Sequence, residues 1–160
     1  MKSTAPDIAA LPAGTAAMPR FTGIVVALWA GSLWTICGLV APTLFAMLDD
    51  RALAGRLAGR FFDLATLIGV AAGAILLALT FTARYVLPGR YGRLLVGLTA
   101  GLPALSELIL SPLMEQARAA GDMARFGMLH GLAAAVFMIA CAGAVAVVWN
   151  FTRPASSLDA

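Results

Sequence analysis

Residues 126–151 read FGMLHGLAAAVFMIACAGAVAVVWNF, and the interval from Arg125 to Arg153 encloses 27 residues without a formal charge. A helix rises about 1.5 Å per residue and the hydrocarbon core of a bilayer is about 30 Å thick, so roughly 20 apolar residues cross it. This stretch exceeds that length. It shows no alternation of polar and apolar positions, which excludes a strand of a membrane barrel. Working outward, three more intervals behave alike. Between Arg20 and Asp49 lie 28 uncharged residues, between Asp63 and Arg84 lie 20, and between Arg93 and Glu115 lie 21 of which only Glu107 is charged. The expected fold class is all-α, a four-helix transmembrane bundle.

Composition agrees. The 160 residues are 61% hydrophobic and 12% charged, whereas a soluble domain averages about 45–50% apolar and about 25% charged. The net charge of +3 comes from arginines that flank the spans, where lipid headgroups favour them. The lipid bilayer is therefore the expected partner and nucleic acid is not. The abundance of Ala, Gly, Leu and Arg suits a high-GC bacterium, hence an inner membrane.

The four spans are expected at 21–48, 61–86, 91–117 and 126–151, within one transmembrane domain, 20–152. Residues 1–19, rich in Ala and Pro, read as a disordered leader, and 153–160 as a short tail. Residues 49–60 read DDRALAGRLAGR. There Leu53, Leu57 and Phe61 recur every four residues, with Arg51, Arg56 and Arg60 elsewhere on the wheel. That pattern predicts a short interfacial amphipathic helix between helices 1 and 2. Six Lys and Arg residues fall on the side of the termini and the middle turn, and five on the other. The middle turn is compact and carries Arg84, Arg90 and Arg93, so the termini are expected in the cytoplasm.

Small residues recur four apart at Ala27/Gly31, Gly69/Gly73, Gly97/Gly101 and Gly127/Gly131. Such pairs let helix backbones approach closely where lipid supplies no hydrophobic drive. They serve an intramolecular bundle, or alternatively a homodimer or a membrane-protein partner. Cys37 and Cys141 both fall near mid-bilayer with no ligand at metal spacing, and read as small apolar residues. One His cannot supply a pair of axial haem ligands, and no phosphate loop or nucleophile elbow occurs. No metal, cofactor or catalytic residue is expected.

Ionisable groups inside a membrane are costly, by about 2.5–3.5 kcal/mol at the centre on insertion scales, and each invites a functional reading. Three qualify: Asp63, Glu107 and His130. Counted from the face opposite the termini, Asp63 is one turn in, His130 roughly 7 Å and Glu107 roughly 12 Å, at about 1.5 Å per residue. All three share one leaflet. They form a candidate intramembrane polar site that relays a proton or binds a cation; alternatively each is satisfied separately, as a cap, a paired acid or a hydrogen-bonded imidazole.

These residues carry a family resemblance. Helix 1 and its exit read LWAGSLWTICGLVAPTLFAMLDDRALAGRLAGRFF, helix 3 ends SPLMEQAR, and helix 4 opens RFGMLHGLAAAVF. The chain resembles the transmembrane protein 205-like family. The motif positions are Trp29 and Gly31, Pro42 and Phe45, Ala54 and Gly55, Phe61, Pro112 and Arg118, and Phe126 with Leu129 and His130. The likeness covers about 24–148. Ala133 and Ala134 stand where a hydroxyl residue often follows the family's His-Gly pair, and Glu107 lies outside the pattern. The resemblance implies a membrane domain of unknown function whose animal relatives are associated with platinum-drug resistance and vesicle membranes. Three functions stay open: small-solute or metal and drug tolerance or transport; a structural or partner-binding membrane subunit; and a small membrane enzyme of the anthrone-oxygenase kind.

Overall fold

The computed structural model describes residues 14–82 and 89–152. They form α1 (Gly14–Thr35), a π-helical segment (Ile36–Val40), α2 (Ala41–Met47), α3 (Arg51–Thr82), α4 (Gly89–Ala119) and α5 (Met123–Thr152). Four apolar spans result: Met18–Met47, Arg51–Phe81, Tyr91–Ala119 and Met123–Thr152. The protein is an all-α, multi-pass membrane protein.

The first span is built from three pieces in series. Pro42 has no N–H to continue the helical ladder, and its ring crowds the carbonyl four residues back. The wide turn just before it absorbs that crowding: the Ala41 N–H bonds back to the Ile36 carbonyl, five residues away, the signature of a π-bulge. At its start this span reaches further back than expected, through Pro19 to Gly14. Residues 14–19, expected as part of a disordered leader, are thus helical. The rest of that leader, 1–13, and the tail, 153–160, lie outside the described residues.

A separate interfacial helix between helices 1 and 2 does not form. The segment is instead the first three turns of α3, one helix of 32 residues. Two features account for this. Asp50 caps the helix, its Oδ1 accepting from the N–H groups of Ala52 at 2.8 Å and Leu53 at 3.1 Å, as an N-cap should. The buried face then runs unbroken through Ala54, Ala58, Ala65, Gly69, Ala72 and Leu76, so one stripe serves both stretches. Leu53 and Leu57 are exposed beside it.

α4 and α5 are joined by a three-residue turn. Gly121 adopts φ 71°. Its N–H bonds the Arg118 carbonyl at 3.1 Å while the Asp122 N–H reaches Ala117 at 2.9 Å, which is a Schellman closure. Asp122 then caps α5, accepting from the Arg125 N–H at 3.0 Å.

The helices close a ring. α4 packs most extensively on α5, α3 on α4, and α1 on both α5 and α3. Phe62 of α3 and Phe137 of α5 meet edge to face across it, centroids 4.7 Å apart. Trp29, Leu33, Leu76, Val96, Cys141 and Val147 fill the centre with almost no exposed surface. Glycine sets the tightest crossings. A Cβ on Gly73 would lie 2.5 Å from Ala100, one on Gly69 3.1 Å from the Trp29 Nε1, and one on Gly143 would collide with Thr99. By contrast, a Cβ on Gly31, Gly97, Gly101, Gly127 or Gly131 would meet nothing within 4 Å.

Candidate functional site

The three ionisable residues singled out from the sequence occupy different surroundings. Asp63 is exposed on α3 and pairs with Arg60 one turn earlier at 3.8 Å. Such a pair contributes about 0–1 kcal/mol. Glu107 is half-buried on α4, and His130 is exposed on α5. The His130 ring lies parallel to Phe126, with centroids 5.9 Å apart and planes 7° from parallel. The Arg118 guanidinium sits 4.6 Å from the centroid of the same Phe126 ring. Among the described residues no hydrogen bond or ion pair joins Glu107, His130 and Asp63 to one another.

The motif positions gather in two places. Arg118, Phe126 and His130 form the aromatic and cationic column just described. Leu129 packs beneath it with Leu110 and Ala117, and Pro112 is exposed on α4 nearby. At the other exit, the Phe45 ring lies 3.9 Å from where a Gly55 Cβ would stand, so α2 lies against the start of α3. Trp29 fills the bundle core, and its buried Nε1 is the one such side-chain atom without a partner among the described residues. Gly31 faces outward.

The chemically distinctive cluster lies elsewhere, at mid-membrane, and is made of sulfur. The π-helical segment carries Cys37, half-buried, whose Sγ is 3.3 Å from the Met138 Sδ of α5. One turn on from Met138 is the buried Cys141, a member of the core cluster against which Cys37 packs. The Trp34 indole N–H donates to the Cys141 carbonyl at 3.3 Å, tying the start of the π segment to the same turn of α5. Both cysteines are free thiols.

Cys141 is part of the apolar core, as its reading as a small apolar residue implies, but the cysteines are not isolated: Cys37 touches Met138, one turn from Cys141. Cys37 and Cys141 are far apart in the chain, and only the packing of α1 on α5 unites them. The available signal was Met138 and Cys141 three residues apart, hence on one helix face. Two thiols and a thioether are soft donors, the set that favours Cu(I) over hard cations. Among the described residues no three His, Cys, Asp or Glu side chains converge on a metal position; the third sulfur of this cluster is the Met138 thioether.

A family model described as a domain of unknown function (DUF4149) matches residues 24–123. That span runs from α1 to the start of α5; it includes Cys37 and ends before Met138 and Cys141. No curated protein and no solved structure matches the chain.

Proposed function

The chain belongs to the DUF4149 family, a domain of unknown function, and for this member we propose a role in soft-metal tolerance, in which Cys37, Met138 and Cys141 bind a Cu(I)-like cation inside the bilayer to move or sequester it. The observation that carries the reading is the 3.3 Å approach of the Cys37 Sγ to the Met138 Sδ, with Cys141 one turn along α5 in the core cluster that Cys37 packs against. Charge favours a monovalent ion. Loss of one thiol proton balances the single charge of Cu(I), so the complex is neutral and escapes most of the penalty for charge in lipid. Met138 is 49% exposed, and its flexible thioether can swing aside to admit the ion. The π turn adds support, since such turns concentrate at functional sites.

The motif likeness to the transmembrane protein 205-like family leans the same way, because platinum is also a soft, sulfur-seeking metal. The sulfur residues are not among those motif positions, so the proposal concerns this chain. We take the membrane to be a bacterial inner membrane, with cytoplasmic termini beside the arginine-rich middle turn. Glu107 and His130 remain a second candidate site in the opposite leaflet. A structural or partner-binding subunit is the competing reading, favoured by the open glycines of α4 and α5.

The test is titration of reduced, full-length protein in mild detergent with Cu(I), against a chromogenic chelator. One ion per chain is expected. Cys37→Ala and Met138→Leu should each weaken binding by about 10-fold or more, since even outer-shell partners of a metal are worth about 10–100-fold. Glu107→Gln and His130→Ala should leave it unchanged. Cu(I) affinity that survives Cys37→Ala removes the sulfur site.

A further inference from the structure

The two ends of the bundle differ in charge balance. The face reached by the α2–α3 and α4–α5 connections carries Arg51, Arg56, Arg60, Arg118 and Arg125 together with Asp49, Asp50, Asp63, Glu115 and Asp122. The α3–α4 connection and the start of α4 carry Arg84, Arg90 and Arg93, and no acidic residue occurs between Asp63 and Glu107. Within the described part of this end, Arg93 lies in the first turns of α4. Its guanidinium rests 5.4 Å from the centroid of Phe81, in the last turn of α3. That contact supplies no negative charge, and among the described residues Arg93 makes no ion pair. Below it lies an open groove of about 430 Å³, lined by Phe81, Arg93, Leu94, Gly97 and Leu98. Arg93 is the only charged group among the described residues that line it. Its floor is Gly97, where an added Cβ would meet nothing within 4 Å.

We propose that this groove between α3 and α4 seats one anionic phospholipid, with the headgroup phosphate on Arg93 and the upper acyl chain along Leu94, Gly97 and Leu98. The shape matches an amphiphile: a cation at the interface end and apolar walls running into the membrane. Phe81 holds the guanidinium by its ring face, leaving the N–H edges free for phosphate oxygens. A basic pocket between spans at the interface is a recognised form of headgroup site. The inference is independent of the sulfur cluster, which lies deeper and on other helices.

Native mass spectrometry of the full-length protein, in mild detergent with equal phosphatidylglycerol and phosphatidylcholine, tests it. The wild type should retain phosphatidylglycerol about five-fold over phosphatidylcholine, the factor expected for one basic residue at the headgroup level. Arg93→Gln should bring the ratio to about one and Arg93→Lys should largely preserve it. Gly97→Leu should reduce retention of both lipids by filling the groove. Arg125→Gln, at the opposite end, should change nothing. The proposal fails if Arg93→Gln keeps the preference, if Arg125→Gln abolishes it equally, or if soluble glycerol phosphate displaces the lipid.

Discussion

Two sets of glycines in this bundle have the same four-residue spacing and opposite uses. Gly69 and Gly73 of α3 are buried against Trp29 and Ala100. Gly127 and Gly131 of α5 look outward into space that a side chain would not fill. The first set brings backbones together, which in a membrane is where van der Waals energy is gained. The second leaves a smooth face for lipid. Spacing reports that a helix has a small-residue stripe. It does not report which way that stripe turns, because the turn is decided by the neighbouring helices.

The comparison can be broken most directly at the tightest contacts. We predict that Gly143→Leu, where Thr99 fills the space, and Gly73→Leu, against Ala100, each lower stability by about 1–3 kcal/mol or more through overpacking. Unfolding midpoints in detergent measure it, and wild-type midpoints would refute the packed assignment. Gly69→Ala sharpens the comparison. The methyl adds about 1 kcal/mol of helix propensity but presses on the Trp29 ring, which is 1% exposed and has nowhere to go. A net loss of about 1 kcal/mol is expected; a gain would mean that Trp29 has room. Gly127→Leu should have the smallest effect, within about 0.5 kcal/mol. A large loss there, accompanied by a smaller particle in size-exclusion chromatography, would instead show that this face holds a second copy.

How much of this was legible beforehand follows from the range of each interaction. The four spans were readable because hydropathy and charge are local, whereas the capping roles of Asp50 and Asp122 show only in the structure. The continuity of α3 was not, because Arg51, Arg56 and Arg60 on the wheel suggest an interfacial piece. Only the packed structure shows that Ala54 and Ala58 extend the stripe of Ala65 and Ala72. The column of Arg118, Phe126 and His130 was half legible. Its members were picked out as motif positions, but their stacking on one ring depends on the closure at Gly121. Of the sulfur cluster only the Met138–Cys141 spacing was legible, and the approach of Cys37 was not. It needs a local departure from α geometry at 36–40 and a helix contact between opposite ends of the chain.

That departure ties the length of the first span to the direction its side chains face. A wide turn holds one residue more than an α-helical turn requires. Deleting a single residue within Ile36–Val40 would let the helix revert to regular winding with Phe45 still facing Gly55, because the residue lost is the one the wide turn holds in excess. In a regular α-helix the same deletion would rotate everything after it by about 100° relative to what precedes it. The wide turn therefore lets the first span lose one residue without a swivel of the first hairpin.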